Sequence, residues 1–219
     1  MKSIRTIGRA AVAALVAICA ISAAHADAPA VKNLVANNGL EAWEVGTAAE
    51  IKTDGGNLPV NWQPDKEVFG GVKDNPGPFS GGIFKDTTVK HGGASSVRLE
   101  SGRACDVVSV WAQLDVNPKT KYQITAWCKG ENIVTAGDGA YVWAVYGPSQ
   151  DYWSHQTHNA VKPTVHDGTF DWTKVQFTVD TNETGEEMHL VLQLRRATGK
   201  LWFDDIEVTK LGPATPKAP

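Results

Sequence analysis

Apolar side chains alternate with period two along most of this chain, and little of it carries helical periodicity, which restricts it to a sheet fold. In residues 121–129, Tyr122, Ile124, Ala126 and Cys128 fall on one side of an extended strand, with Gln123, Thr125 and Trp127 on the other. In 140–146, Ala140, Val142, Ala144 and Tyr146 oppose Tyr141, Trp143 and Val145. The same pattern predicts strands over 95–101, 107–116, 172–179, 188–196 and 201–209, and two more over 38–43 and 83–89. Asn117-Pro118, Gly130 and Thr198-Gly199 read as turns between them. Many strands without intervening helices predict an all-β antiparallel β-sandwich or barrel.

The first 26 residues read as a signal peptide. Lys2, Arg5 and Arg9 form its basic start, 10–20 its apolar centre, and Ala24-His25-Ala26 a small-x-small cleavage site. Cys19 follows Ile18, where a lipoprotein signal wants Gly or Ala, so cleavage before Asp27 is expected. The product is then secreted or periplasmic, and no later run is long and apolar enough to span a membrane. Losing three basic residues and no acidic one takes the formal charge from −3 to −6. That acidity argues against nucleic acid, anionic membranes and polyanionic polysaccharides as partners. Residues 27–32 form a short lead, 33–211 one domain, and 212–219 a Pro- and Ala-rich tail. Cys105 and Cys128 remain in a compartment that permits disulfides. Counting through the turn leaves open a bridge or two separate small buried residues.

The side chains opposite the apolar rows point to binding. Trp127, Tyr141 and Trp143 stand among glutamines, and large flat aromatics beside amides suit sugar rings. Two stretches, 44–82 and 147–171, lack regular alternation and carry aromatics; they read equally as functional loops or as covers over a sheet end.

Six motifs in order resemble carbohydrate-binding modules of the CenC type, families 4, 9 and 22. Asn38-Gly39-Leu40-Glu41 is similar to their N-G-F-E opening, and Pro59-Val60-Asn61-Trp62 to P-x-x-W. His91-Gly92-Gly93-Ala94-Ser95-Ser96-Val97-Arg98-Leu99 is similar to h-x-G-x-x-S-L-x-L, and residues 122–129 to Y-x-L-S-x-W-V-R. Trp172-Thr173-Lys174-Val175 and 201–206 match W-x-x-V and the closing φ-D-D-V. The resemblance implies a galactose-binding-domain-like jelly roll, an architecture that also serves proteins binding no sugar. It implies one sheet holding 95–101, 188–196, 121–129 and 140–146 in that order. The cleft floor would then combine Trp127, Tyr141 and Trp143 for stacking with Gln123, Gln193, Arg195 and Arg98 for hydrogen bonds. The opposite sheet would expose Ser109, Trp111 and Gln113 with Lys174 and Gln176. It also implies a structural calcium held by Glu41 and Asp204 with carbonyls of 91–94. Asp204 reads as inward-facing beside Trp202, Ile206 and Val208, where a carboxylate needs a cation, a salt bridge or backbone donors.

No complete catalytic motif accompanies these residues, so no catalytic residue is expected. His155-x-x-His158 has a metal-like spacing without a convincing third ligand, and His166 completes a polar loop. Gln156-Thr157-His158 resembles the Q-x-H of jelly-roll alginate lyases, whose companion strands are absent. The carboxylate pairs that glycosidases need do not share a strand face. The leading expectation is an exported binder of polysaccharide or oligosaccharide, of xylan or β-glucan type, working alone or with an enzyme partner in trans. The rivals are a jelly-roll lyase or hydrolase, and an envelope or adhesion module that binds a protein.

Overall fold

Two very long strands carry the architecture. The computed structural model describes residues 32–46, 51–53, 55–68, 77–147 and 167–215. In chain order the strands are β1 Trp43–Val45, β2 Lys52–Thr53, β3 Asn57–Pro59, β4 Gln63–Val68, β5 Gly82–Asp86, β6 Ser96–Ser101, β7 Asp106–Asp115, β8 Thr120–Gly147, β9 Gly168–Asp180 and β10 Glu187–Pro213. Among the described residues there is no helix. β8 and β10 pair antiparallel from Glu187↔Gly147 to Pro213↔Thr120. Each passes from one layer of a β-sandwich into the other.

In the first layer the order is β4, β7, the first half of β10, and the end of β8, with Gln63↔Trp111, Trp111↔Val191 and Val191↔Trp143 in one register. In the second it is β2, β5, β6, the later half of β10, the start of β8, and β9. One core lies between them. Val108, Val110, Ala112, Leu190, Leu192, Leu194, Val142 and Ala144 face it from the first layer. Ile83, Val97, Leu99, Leu201, Phe203, Tyr122, Ile124 and Ala126 face it from the second. Each fully buried Leu or Ile stabilises the fold by roughly 1.5–3 kcal/mol, so this interdigitated set dominates.

The alternation read from the sequence holds within each straight run and changes phase twice in β10 and twice in β8. Along β10 the core-facing residues are even-numbered to Leu194, odd from Ala197 to Phe203, then even again at Ile206 and Val208. The two phase changes coincide with register shifts and with positive φ at Arg196 (46°) and Asp205 (45°). A bulge adds one residue to one strand and so turns every later side chain over. β8 shifts phase around Asn132 (φ 53°), where Ile133 faces the core, and is back in its first phase at Ala140.

Four expectations are corrected here. Thr198-Gly199 lies at a register shift between β10 and β8, and Gly130 at one between β8 and β9; both are points within continuous strands, not turns that end them. Consequently the expected sheet order fails: β6 pairs with Gly199–Phe203 of β10, not with 188–196. Residues 38–43 are not a strand; a turn with Asn37 and Leu40 at positive φ leads into β1, held by the Asn37 side chain on Ala42 and Val60. Trp202 faces outward, since the Asp205 bulge lies between it and the core-facing Ile206. Cys105 and Cys128 are free thiols. Cys128 lies in the core, where burial pushes its thiol up to about 12. The signal peptide of 1–26 and the histidines of 147–171 lie outside the described residues.

Candidate functional site

The face of the first layer that points away from the core gathers one apolar row between polar ones. Gln63, Trp111, Val191 and Trp143 form that row across β4, β7, β10 and β8. Two residues along, Gln113, His189 and Val145 form the next; on the other side come Asp65, Ser109, Gln193 and Tyr141. Beyond them Arg195 stands between Val107 and Gly139. Rows two residues apart lie ~6.8 Å apart, and the backbones of Trp111 and Trp143 are separated by two strand spacings, ~9.5 Å. Val191, His189, Ser109 and Gln193 at the centre are buried, Trp111, Trp143 and Arg195 half-buried, and Gln63, Asp65 and Gln113 exposed at the rim. The Tyr141 side chain lies outside the described residues, although its backbone pairs with Gln193.

The polar side chains here are held in fixed orientations. His189 lies flat on Trp111, with ring centroids 4.6 Å apart and 11° between planes. Its Nε2 meets Glu187 Oε1 at 2.6 Å, and Gln113 Nε2 donates to Glu187 Oε2 at 2.9 Å. Burial pushes the His189 pKa down, outweighing the upward pull of Glu187 beside it. Gln193 Nε2 donates to Ser109 Oγ at 3.4 Å, and Ser109 Oγ donates to the Asp65 carbonyl at 3.5 Å.

Of the seven residues expected on one floor, Trp143, Gln193, Arg195 and the backbone of Tyr141 do share this face. Trp127, Gln123 and Arg98 do not; they stand on the outer face of the second layer. The cause is the continuity of β8 and β10, which sends 121–129 and 140–146 into different layers. There the imidazole of His91 covers one side of the Trp127 indole, with centroids 3.9 Å apart and 16° between planes, and meets Trp172 edge-on at 5.6 Å. Arg98 is engaged structurally. It lies over the Phe84 ring at 4.8 Å, bonds Asp86 at 3.1 Å and pairs with Glu100. Burial works to raise the Asp86 pKa, but bonds from Val89, Trp202 and Thr88 and the Arg98 charge outweigh it, and the carboxyl is held below its ordinary value. Conversely, Trp111, Ser109 and Gln113, assigned by sequence to a less concentrated opposite sheet, belong to the candidate face. The parity of these residues was legible; which strand lay beside which was not.

Glu41 and Asp204, expected to hold calcium, both engage backbone donors of residues 91–95. Asp204 is fully buried, and all its bonding goes to backbone donors: His91 N at 2.8 Å and Gly92 N at 3.0 Å on Oδ2, Asp205 N at 2.8 Å on Oδ1. Burial pushes the Asp204 pKa up, partly offset by these donors. Glu41 accepts from Ala94 N on both oxygens and from Ser95 N on Oε2, while the Ser95 hydroxyl donates to the Leu40 carbonyl at 2.9 Å. Asp205 takes His91 Nδ1 on Oδ2 at 2.6 Å, and its Oδ1 accepts no bond among the described residues. Glu41 Oε1 and Asp205 Oδ1 lie 3.7 and 3.9 Å from where a Cβ on Gly39 would stand. Hard oxygen ligands of this kind fit a calcium ion better than the saturated Asp204 does. No group of three or more His, Cys, Asp or Glu side chains suited to a metal occurs among the described residues.

No protein-family model matches the chain, and no curated protein matches it. Solved structures do. The enzymatically active domain of tailspike protein 4 from bacteriophage CBA120 superposes with a TM-score of 0.54 at 9% identity, over 82% of this chain and 21% of that one. The chain thus spans about a fifth of the tailspike's length. A CBM4 module superposes with a TM-score of 0.50 at 14% identity, over 80% of this chain and 99% of that one. A CBM61 module in complex with β-1,4-galactotriose reaches 0.48 at 14% identity, over 82% and 99%. The chain therefore has the β-sandwich fold of carbohydrate-binding modules and resembles them over nearly their whole length. At these identities the likeness is one of fold, which a catalytic tailspike domain shares. No helix among the described residues is long and apolar enough to cross a membrane.

Proposed function

We propose that this is an exported, non-catalytic carbohydrate-binding protein that holds a xylan- or β-glucan-type chain across the outer face of the β4–β7–β10–β8 layer. The observation that carries the reading is the row Trp111–Val191–Trp143 flanked by oriented polar side chains. Sugar C–H faces pack on the two indoles, while hydroxyls meet Gln113, Gln193 and Arg195. Trp127, Gln123 and Arg98 have no part in it. An enzyme acting in trans would gain from such a module by concentration at its substrate. The test is binding of the purified chain to soluble xylan, β-glucan and polygalacturonate, followed by tryptophan fluorescence and by assay of released ends. Saturable binding with a fluorescence change and no product is expected. Released unsaturated or reducing ends would replace this reading with a lyase or hydrolase, and no binding by a folded chain would favour an envelope or adhesion role.

Calcium belongs to the proposal as a structural ion, with Glu41 and Asp205 as its carboxylates. An ion bound only by the folded state at 100 times its Kd adds about 2.7 kcal/mol, equivalent to roughly 5–10 °C in Tm for a chain this size. EDTA is therefore expected to lower Tm by that amount, calcium to restore it, and Asp205→Asn to abolish the difference. Equal Tm with EDTA and with calcium would remove the ion from the account.

A further inference from the structure

β9 ends the second layer with an edge that the described residues leave open. Among them it pairs with β8 alone, from Lys121↔Asp180 to Ile133↔Gly168. Continuing that register, Thr181 N donates to the Thr120 carbonyl at 2.9 Å, so Val179, Phe177 and Val175 aim their backbone groups at β8. The N–H and C=O of Lys174, Gln176 and Thr178 therefore point off the sheet. The far edges of both layers are protected against pairing: β2 has two residues, and β4 holds Pro64, Asp65, Lys66 and Glu67. The centre of β9, Val175-Gln176-Phe177-Thr178-Val179, has no charge, proline or glycine. An edge of that composition is a template for pairing with another chain.

The side chains of β9 specify which chain. A strand that pairs antiparallel with its own copy does so about a two-fold axis, so one residue meets itself and the others meet in reciprocal pairs. With the axis at Phe177, Lys174 lies opposite Asp180 of the second copy, and Asp180 opposite the second copy's Lys174. Gln176 meets Thr178 on the same outer face, while Val175 meets Val179 and Phe177 meets its own copy on the inner one. An axis at Gln176 or Thr178 leaves both charges opposite uncharged residues. Lys174 is exposed and makes no ion pair among the described residues, and Asp180 engages Lys121 at 3.8 Å and Thr215 N at 3.3 Å through Oδ1 alone. Phe177 packs on the core but is only half-buried, with its remaining surface at this edge. We propose that β9 is a dimer interface: two copies of this chain pair edge to edge about an axis at Phe177 and join their second layers into one sheet. The assignment stands apart from the carbohydrate reading; given that reading, each dimer presents two candidate faces to one polymer, which slows its release.

The test is sedimentation velocity of the purified chain across micromolar concentrations, where a dimer is expected, beside three variants with Tm measured for each. Lys174→Glu sets a carboxylate opposite Asp180 at both ends of the ladder, and should raise the dimer dissociation constant about tenfold at low salt and less at high salt. Gln176→Pro removes an N–H that β8 does not use, and should leave a folded monomer. Phe177→Cys stands on the axis, where a non-hydrogen-bonded pair brings Cα atoms to ~4.5 Å, within reach of a disulfide. Mild oxidation should therefore give a covalent dimer in that variant and none in wild type, whose Cys128 is buried and Cys105 half-buried. A monomeric wild type overturns the assignment. So does a dimer that Lys174→Glu leaves intact, or one in which Phe177→Cys does not cross-link. Should Gln176→Pro fail to fold, those two variants decide.

Discussion

Asp204→Ala is expected to destabilise the fold by about 3 kcal/mol, or roughly 6–12 °C in Tm, measured by chemical and thermal denaturation. The carboxylate joins three segments: the 91–95 turn through His91 N and Gly92 N, the bulge through Asp205 N, and β10 itself. Alanine would leave three N–H groups without an acceptor. Because the side chain is fully buried, water cannot replace it without opening the turn. The damage spreads, since the same turn supplies Ala94 N and Ser95 N to Glu41 and the His91 ring to Trp127. Asp204→Asn keeps one acceptor oxygen and should cost less. Its deficit depends on pH with a definite sign. Burial raises the folded-state pKa of Asp204 above its ordinary 3.8. The associated stability is full below the unfolded value and is lost as pH rises through the folded value. The asparagine variant carries no such loss, so its deficit should be largest in acid and shrink across that window. A deficit that grows with pH would mean that the backbone donors outweigh burial.

How much of this was legible in the sequence follows from what alternation encodes. Period two records which side of a strand a residue occupies, so Tyr122, Ile124, Ala126, Val142, Leu190 and Leu192 were readable as core, and Trp111, Trp143 and Gln193 as outward. It does not record which strand lies alongside. Pairing is a non-local property, and two strands that run on through both layers give the same local pattern as four strands separated by turns. Gly130 and Gly199 were read as punctuation because glycine serves turns and bulges alike. Gly199, at φ 114°, sits in a bulge where a side chain would meet the Asn132 carbonyl at 2.6 Å. One signal could have exposed the phase changes. Asn132 and Asp205 belong to residue types that tolerate positive φ, and each interrupts an apolar alternation. The bulge one residue later is also why Asp204 does not share the face of Ile206 and Val208: it lies buried on the 91–95 turn, held by backbone donors, one of the alternatives its sequence position left open. The motif order was the more durable information, since it depends on sequence rather than on pairing.

Trp143→Ala and Trp111→Ala are each expected to weaken glycan binding at least 30-fold, while Trp127→Ala leaves affinity within about twofold of wild type. The contrast separates the two faces. Trp111 and Trp143 flank Val191 on the candidate face, half-buried, so each has a large rigid surface that a sugar ring can share at little entropic cost. Truncating such an aromatic anchor typically costs 2 kcal/mol or more, which is about 30-fold in Kd. Trp111 carries a second duty, since His189 stacks on it. Its alanine variant should therefore also lose stability, and Trp111→Phe should recover most of that loss with only part of the binding. Trp127 spends one side of its indole on His91. Its removal should lower Tm through the 91–95 turn and leave the ligand untouched. Titrations of xylan and β-glucan against the four folded variants, with Tm recorded for each, decide between the faces. Loss of binding in Trp127→Ala with Trp143→Ala unaffected would move the site to the second layer, where the aromatics of β8 and β9 would have to form it.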